Sequence, residues 1–313
     1  MHKIIFMGTP SFSVPILQAL IEDEMIEVAA VVTQPDRKVG RKQILTPPPV
    51  KELALEHEIP VLQPEKLSGS SEMQQILEMN PDLLITAAYG QYVPTKLLNA
   101  PTYRSINVHA SLLPKYRGAA PIHYAVLKGD DVTGVTIMYM EKVMDAGNII
   151  SQREIPITAK DDTGTLFEKL SLLGRDLLMD TLPDIFSGEN ASIEQEEAKV
   201  SFSPMISKEQ EKIDWKQTAT EVHNLIRALR PAPGAYTLIE GTRFKIWDSE
   251  VIDEKTAKTP GTIVKLDKEQ LFVACGDCTV LSLKEVQPAG KKRMHIENYL
   301  IGAELKIDDQ FDE

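Results

Sequence analysis

Short apolar runs alternate with segments of helical pattern in this 313-residue chain, and this alternation limits the folds that the chain can adopt. The runs KIIFM (3–7), EVAAVVT (27–33) and DLLITAA (82–88) have the length and aliphatic content of buried strands. Helical patterns lie near them, at residues 14–21, 50–57 and 70–79. This order is typical of a Rossmann-like α/β domain, in which helices cover both faces of a mostly parallel sheet.

The turn after the first run reads GTPSFS (8–13) and lacks the G-x-G-x-x-G phosphate loop. A nucleotide-dependent dehydrogenase is therefore disfavoured. Ligands of open α/β sheets bind beyond the carboxyl ends of the strands. We therefore expect one shared pocket, formed by the loops that follow Ala88 and His109.

Residues 105–109, SINVH, form a further short run that leads into a turn rich in Pro, Gly, Lys and Arg. If this run is a strand, its period of two places Asn107 and His109 on one face. Asn107 offers a hydrogen-bonding amide, and His109 changes charge near neutral pH. The pair alone leaves open whether His109 is structural or catalytic. Asp145, followed by Ala146-Gly147, likewise either shapes a turn or acts in a site.

The pattern changes after residue 235, where short strand-like runs follow one another without helical periods. They lie at 235–239, 243–250, 261–265, 271–274 and 279–283. Such spacing indicates a small barrel or sandwich. We expect a catalytic domain over residues 1–189, a polar linker over 190–207 and a second domain over 208–313.

The composition fits a soluble globular protein, with 42% hydrophobic and 26% charged residues and no apolar run long enough to span a membrane. The N-terminus lacks the apolar region of a secretory signal. Cys275 and Cys278 cannot form a disulfide framework, so we expect a cytoplasmic protein. Their C-x-x-C spacing lacks a second pair of ligands, which favours a hairpin turn over a metal site.

Two compact basic segments stand out against a net charge of −12. They are either solvated loops or phosphate contacts. Distant acidic residues are screened beyond about 8–10 Å at physiological salt, so local basic patches remain compatible with nucleic-acid binding. Their basic residues are Arg37, Lys38, Arg41 and Lys42 in the first, and Lys291, Lys292 and Arg293 in the second.

Seven motifs together resemble the methionyl-tRNA formyltransferase family over nearly the whole chain. They are GTPSFS (8–13), TQPDR (33–37), AAYGQYVP (87–94), INVHASLLPKYRGAAPI (106–122), VMDAGNI (143–149), KIDW (212–215) and QPAGKK (287–292). The stretch from 107 to 121 is specific to folate-dependent formyl transfer. The last two motifs and the second domain distinguish the tRNA enzymes from shorter relatives that act on small amines.

The resemblance implies formyl transfer from 10-formyltetrahydrofolate, without a metal, to the methionine on initiator methionyl-tRNA. It implies that Asn107, His109 and Asp145 are catalytic. It also implies that the loop around Arg41 contacts tRNA and that the second domain is an OB-like barrel. The basic residues of both segments would then supply phosphate contacts. We expect the protein to be a monomer. The implied folate-binding residues are Ala87, Ala88, Tyr89, Gly90, Val93, Ala110, Ser111, Leu112, Leu113 and Pro114.

The chemistry of the reaction fits these residue types. A neutral amine is already a nucleophile, so the difficult step is stabilising the negative charge that develops on the formyl oxygen. Asn107 and His109 supply N–H donors for it, and Asp145 would orient His109 and help remove the surplus proton of the amine.

Other functions remain open at this point. Formyl transfer to glycinamide ribonucleotide or an amino sugar uses the same chemistry, although the second domain and KIDW argue against it. A folate hydrolase would use water in place of the amine. A non-catalytic RNA-binding module is disfavoured by the joint presence of Asn107, His109 and Asp145.

Overall fold

A computed structural model describes residues 1–40 and 42–312. The chain forms two compact units. The first comprises residues 1–121, 132–156 and 167–204, and the second comprises residues 122–131, 157–166 and the chain from 205 onward. Residues 190–204, expected to be linker, therefore group with the first unit.

A seven-stranded sheet forms the centre of the first unit. Its strands, in spatial order, are β5 (Val61–Leu62), β2 (Ile26–Val32), β1 (His2–Gly8), β6 (Leu83–Ala87), β7 (Ser105–His109), β8 (Val132–Tyr139) and β9 (Ile149–Pro156). The pairings from β5 to β7 are parallel, whereas β8 pairs antiparallel with both β7 and β9. The predicted mostly parallel α/β sheet is thus confirmed.

Helices follow the strands at positions that the sequence signals. Their bounds are α1 (Val14–Glu22), α2 (Pro49–Glu56), α3 (Ser71–Glu78), α4 (Thr95–Leu98), α5 (Pro121–Leu127) and α6 (Thr163–Ser187). Proline lies in the first turn of α1 and α2, where its missing N–H costs nothing. The Ser70 hydroxyl caps α3 by accepting from the Met73 N–H at 3.0 Å. Side chains of β1, β6 and α3 share one buried cluster, which holds this layer together.

The first basic segment differs from the irregular loop that the sequence suggests. Strand β3 (Arg37–Val39) pairs antiparallel with β4 (Ile44–Thr46) in a two-stranded ribbon. Every residue of both strands is exposed, so no buried face produces an alternating apolar pattern. The backbone pairing therefore left no signal in the side chains.

The second unit contains the amphipathic helix α7 (Ala219–Ala228) and an antiparallel sheet, and it includes most of α5. Helix α7 begins with a capping box between Thr218 and Glu221. The sheet runs β10 (Tyr236–Ile239), β11 (Thr242–Ile252), β14 (Val280–Pro288), β13 (Leu271–Ala274) and β12 (Ile263–Leu266), and β15 (Met294–His295) pairs with β14. A short helix, α8 (Ile296–Leu300), follows. The core includes Trp215 stacked on Phe311.

The last described residues pair with both edges of this sheet. The Asp312 N–H donates to the Leu238 carbonyl at 2.9 Å, beside one edge strand. The Phe311 N–H donates to the Gly261 carbonyl at 3.0 Å, and Thr262 forms a bridge with Gln310 beside the other edge strand. One segment therefore covers two sheet edges, and the sheet is an antiparallel half-barrel.

The C-x-x-C segment is a tight turn between β13 and β14. Asp277 and Cys278 both have positive φ, 51° and 59°, as the two-residue turns of hairpins require. Cys275 is buried and Cys278 is exposed. Within residues 1–40 and 42–312, no helix is long and apolar enough to cross a membrane.

Candidate active site

The parallel strands β6 and β7 bring their carboxyl ends to the same edge of the first sheet. Thr86 is the register partner of Asn107. The predicted strand Ser105–His109 is confirmed at both ends. Asn107 is half-buried, and His109 is buried with 5% of its surface exposed. The loops that follow Ala87 and His109 therefore start side by side. The sequence interpretation began the first loop after Ala88 and expected the two loops to share one pocket.

The side-chain amide of Asn107 is oriented by Thr86. The Thr86 hydroxyl donates to Asn107 Oδ1 at 2.7 Å, and Thr86 is 3% exposed. Because Oδ1 is occupied by this donor, the Nδ2 protons remain to donate elsewhere. With Oδ1 turned toward Thr86, the Nδ2 group of Asn107 points elsewhere and is available as a hydrogen-bond donor.

The imidazole of His109 is anchored through one ring nitrogen. Nε2 lies 3.0 Å from the main-chain oxygen of Tyr116. A carbonyl oxygen only accepts, so Nε2 carries a proton in this contact. Nδ1 lies 3.8 Å from Asp145 Oδ1, within ion-pair range when the ring is protonated. The other ring nitrogen, Nδ1, therefore faces a carboxylate.

Asp145 lies in the loop between β8 and β9 and reaches across to another loop. Its Oδ2 accepts from the Gly118 N–H at 2.8 Å. Its backbone has φ of 54°, in the left-handed region that non-glycine residues rarely adopt. The carboxylate thus connects the His109 ring with the loop that carries Tyr116 and Gly118.

The predicted folate residues fall into an accessible and a buried group. Ala88 and Gly90 are exposed, and Ala110, Leu112 and Pro114 are half-buried. The members of the buried group can face a ligand only through their main-chain atoms, or they support the residues that do. These members are Ala87, Tyr89, Val93, Ser111 and Leu113. The accessible side chains are small or apolar, which suits a flat heteroaromatic ring.

The Tyr89 side chain packs into the core cluster rather than toward the strand ends. Within the described part of the chain its hydroxyl has no hydrogen-bond partner. Burial, and then the charge of Glu72, raise the pKa of Tyr89 to about 12. The Tyr89 carbonyl accepts from the Thr9 hydroxyl at 2.8 Å, which fixes the loop after β6.

The predicted tRNA-binding residues are divided between the two units. In the first, Lys38 and Lys42 are exposed, Arg37 forms an exposed ion pair with Glu65 at 3.1 Å, and Arg41 lies outside the described residues. In the second, Lys291 and Lys292 are exposed in the turn between β14 and β15.

Arg293 is the third residue of the second basic segment. Its Nε donates to Glu285 Oε2 at 2.7 Å. Its guanidinium also lies 5.3 Å from the centre of the Trp247 ring, in cation–π range. Part of its charge is therefore already neutralised within the second unit.

Arg117, Gln195 and Ser203 are hydrogen-bonded next to the candidate residues and were missed by the sequence interpretation. The Ser203 hydroxyl donates to the Tyr116 carbonyl at 3.0 Å, the same oxygen that His109 contacts. Arg117 is 5% exposed, and its Nε donates to Gln195 Oε1 at 2.9 Å. Arg117 belongs to the motif at 106–122, which is the one signal that pointed to it. Gln195 and Ser203 lie in a polar stretch without any motif.

Comparisons with known proteins agree on the family. Residues 2–182 match the model of the formyl transferase family, and residues 205–304 match that of the formyl transferase C-terminal domain. The methionyl-tRNA formyltransferase of Enterococcus faecalis is 56% identical over 310 residues, 99% of each chain. That of Lysinibacillus sphaericus is 56% identical over 313 residues, 99% of this chain and 100% of the relative.

Solved structures support the fold at lower identity. The N-formyltransferase from Helicobacter canadensis, in complex with folinic acid and dTDP-3-aminofucose, superimposes with a TM-score of 0.70 at 21% identity, covering 92% of this chain and all of that one. A sugar 3N-formyltransferase with dTDP and 5-N-formyl-THF has a TM-score of 0.68 at 20% identity, covering 93% and 99%. Fold and sequence agree: the chain belongs to the formyl transferase family and, within it, to the methionyl-tRNA formyltransferases.

Proposed function

We propose that Asn107, His109 and Asp145 transfer a formyl group from 10-formyltetrahydrofolate to the amino group of the methionine on initiator methionyl-tRNA. The product, N-formylmethionyl-tRNA, serves translation initiation. The observation that carries the proposal is the 3.8 Å distance between His109 Nδ1 and Asp145 Oδ1. His109 lies on β7 together with Asn107, whose side chain is oriented by Thr86 of the neighbouring strand β6. Family membership supports the reaction, and this geometry supports the proposed roles.

The two donors stabilise the charge that develops on the formyl oxygen. Asn107 donates through Nδ2, because Thr86 occupies its Oδ1. His109 donates through Nδ1 in its protonated form, because Nε2 is held by the Tyr116 carbonyl. By comparison with oxyanion donors in other enzymes, the loss of one donor costs roughly 100–1,000-fold in rate.

Asp145 lies beside the donating edge of the ring and handles the proton of the amine. Its Oδ1 is 3.8 Å from His109 Nδ1, the ring nitrogen that faces the formyl group in this proposal. Its Oδ2 is held by the Gly118 N–H, which keeps the carboxylate in place. We assign to it, through water, the surplus proton of the attacking amine.

The accessible wall of Ala88, Gly90, Ala110, Leu112 and Pro114 fits the pterin ring of the folate, which supplies the formyl group. The buried neighbours keep this wall in shape. The Ser111 carbonyl accepts from the Thr136 hydroxyl at 2.7 Å, and the Leu113 carbonyl accepts from Gln152 at 2.8 Å. Folate-bound structural neighbours with the same fold support this placement.

Binding of tRNA is assigned to the two basic segments and to the second domain, which we regard as OB-like. The pairing of residues 310–312 with both sheet edges supports a barrel. We propose a catalytic domain over residues 1–189 and a tRNA-contacting domain over 208–313, joined by residues 190–207, of which 190–204 group with the first unit. We also propose a cytoplasmic monomer. Phosphate contacts of this kind weaken as salt rises.

An acceptor competition tests the proposed function. Purified protein and 10-formyltetrahydrofolate are incubated with initiator methionyl-tRNA, free methionine, glycinamide ribonucleotide and an amino-sugar nucleotide. We expect formyl transfer to methionyl-tRNA and none to free methionine. Activity on a small amine without activity on the charged tRNA would contradict the proposed substrate.

A further inference from the structure

The Gln195 amide lies at the centre of a buried hydrogen-bond bridge in the first unit. Its Nε2 donates to the Asp145 carbonyl at 2.7 Å and to the Gly147 carbonyl at 2.8 Å. Its Oε1 accepts from Arg117 Nε at 2.9 Å, and Gln195 is 8% exposed. Carbonyl oxygens only accept and a guanidinium only donates, so the orientation of the amide is fixed by its partners.

The bridge supports a strained segment. Asp145 has φ of 54°, which costs free energy for a residue with a side chain. A Cβ on Gly147 would lie 1.9 Å from the Tyr139 carbonyl, so this loop accepts only glycine there. The two bonds from Gln195 hold the carbonyls of residues 145 and 147, on both sides of Ala146. They therefore fix the direction in which the Asp145 carboxylate points.

The other end of the bridge lies beside the support of His109. Arg117 is flanked by Tyr116, whose carbonyl accepts from His109, and by Gly118, whose N–H binds the Asp145 carboxylate. The Arg117 backbone is itself held by Ser201 and Ser203. Gln195 thus joins the loop that carries Asp145 to the loop that anchors His109.

We propose that Gln195 is a positioning residue for formyl transfer, which acts by holding the Asp145 carboxylate against His109. The proposal rests on the proposed function of Asp145. It concerns the catalytic step rather than substrate binding, because the bonds of Gln195 go to Arg117 and to the main chain of the Asp145 loop. None of the seven sequence motifs includes this residue.

Three variants separate positioning from general support. Gln195→Met keeps the length and loses all polar contacts. Gln195→Glu keeps an oxygen acceptor for Arg117 and loses both N–H donors. Asn190→Ala is the matched control, because Asn190 is an amide of the same segment that donates to the Tyr139 hydroxyl at 2.8 Å and does not contact the Asp145 loop.

We expect Gln195→Met to lower kcat about 10–100-fold, because its two hydrogen bonds to the Asp145 loop and its one to Arg117 are lost. The KM values for folate and tRNA should stay within about twofold. The kcat of Gln195→Glu relative to the unmodified chain should rise as the pH falls, because a protonated carboxyl regains one donor. Asn190→Ala should keep its kcat. An unchanged kcat in both Gln195 variants overturns the proposal.

A double-mutant cycle with Asp145→Asn gives the decisive readout, measured in single-turnover formylation with enzyme in excess. If Gln195 acts through Asp145, either Gln195 variant should slow Asp145→Asn by less than about threefold further. Full multiplicative losses with both variants overturn the positioning role. If Asp145→Asn alone is as fast as the unmodified chain, the proposed function of Asp145 fails, whatever the Gln195 variants show.

Discussion

Replacing Thr86 with valine tests whether formyl transfer depends on the orientation of the Asn107 amide, because the variant keeps Asn107 itself and removes only its hydrogen-bond partner. Valine has nearly the shape of threonine and lacks the hydroxyl that donates to Asn107 Oδ1 at 2.7 Å. One buried neutral hydrogen bond is worth about 0.5–1.5 kcal/mol. If this free energy holds the amide in its donating orientation, formyl transfer slows by about 2–12-fold.

The assay is single-turnover formylation of initiator methionyl-tRNA at saturating folate. Thr86→Ser is the control, since it keeps the hydroxyl and should retain most of the rate. In an Asn107→Ala background, Thr86→Val should have no further effect, because the amide that it orients is gone. A Thr86→Val enzyme with an unchanged rate, or a loss of rate that persists in the Asn107→Ala background, would show that Thr86 does not act through Asn107.

Three further outcomes are expected. Gly118→Ala should lower the free energy of unfolding by about 1–3 kcal/mol and slow formylation, because Gly118 has φ of +124° and an added Cβ would lie 2.8 Å from the Ser203 carbonyl. Thermal unfolding and the formylation rate measure the two effects. An unchanged stability together with an unchanged rate would contradict this prediction. A thiol reagent should label Cys278 and spare Cys275 in the native chain, because burial raises the pKa of the Cys275 thiol to about 12, and mass spectrometry of the peptides checks it. Burial lowers the pKa of His223 from 6.5, so the unfolded chain binds this proton more readily and the free energy of unfolding falls as the pH drops through about 6.5. Urea unfolding at several pH values should show that the free energy of unfolding falls less with decreasing pH in His223→Gln than in the unmodified chain. Equal decreases in the two proteins would argue against this role of His223.

Strand β7 shows what the sequence alone could predict. Its apolar alternation and the polar turn behind it defined both ends of Ser105–His109. The family motifs then pointed to Asn107, His109 and Asp145, and the structure brings the last two together. Local pattern and motif were sufficient because each of these residues lies at a strand end or in a characteristic loop.

The supporting residues could not be found in this way. Arg117 and Gln195 are 78 positions apart, and Tyr116 and Ser203 are 87 apart. A hydrogen bond between such distant positions depends on the tertiary fold and leaves no periodic signal. The ribbon of β3 and β4 was missed for a different reason, since its side chains are exposed on both faces.

The most direct test of the catalytic assignment is the rate of formyl transfer by His109→Ala with both substrates bound. We expect this variant to bind folate and initiator methionyl-tRNA with unchanged affinity and to lose turnover by roughly 100-fold or more, because the Nδ1 donor beside Asp145 is gone. Near-normal turnover by a folded His109→Ala enzyme would contradict the account.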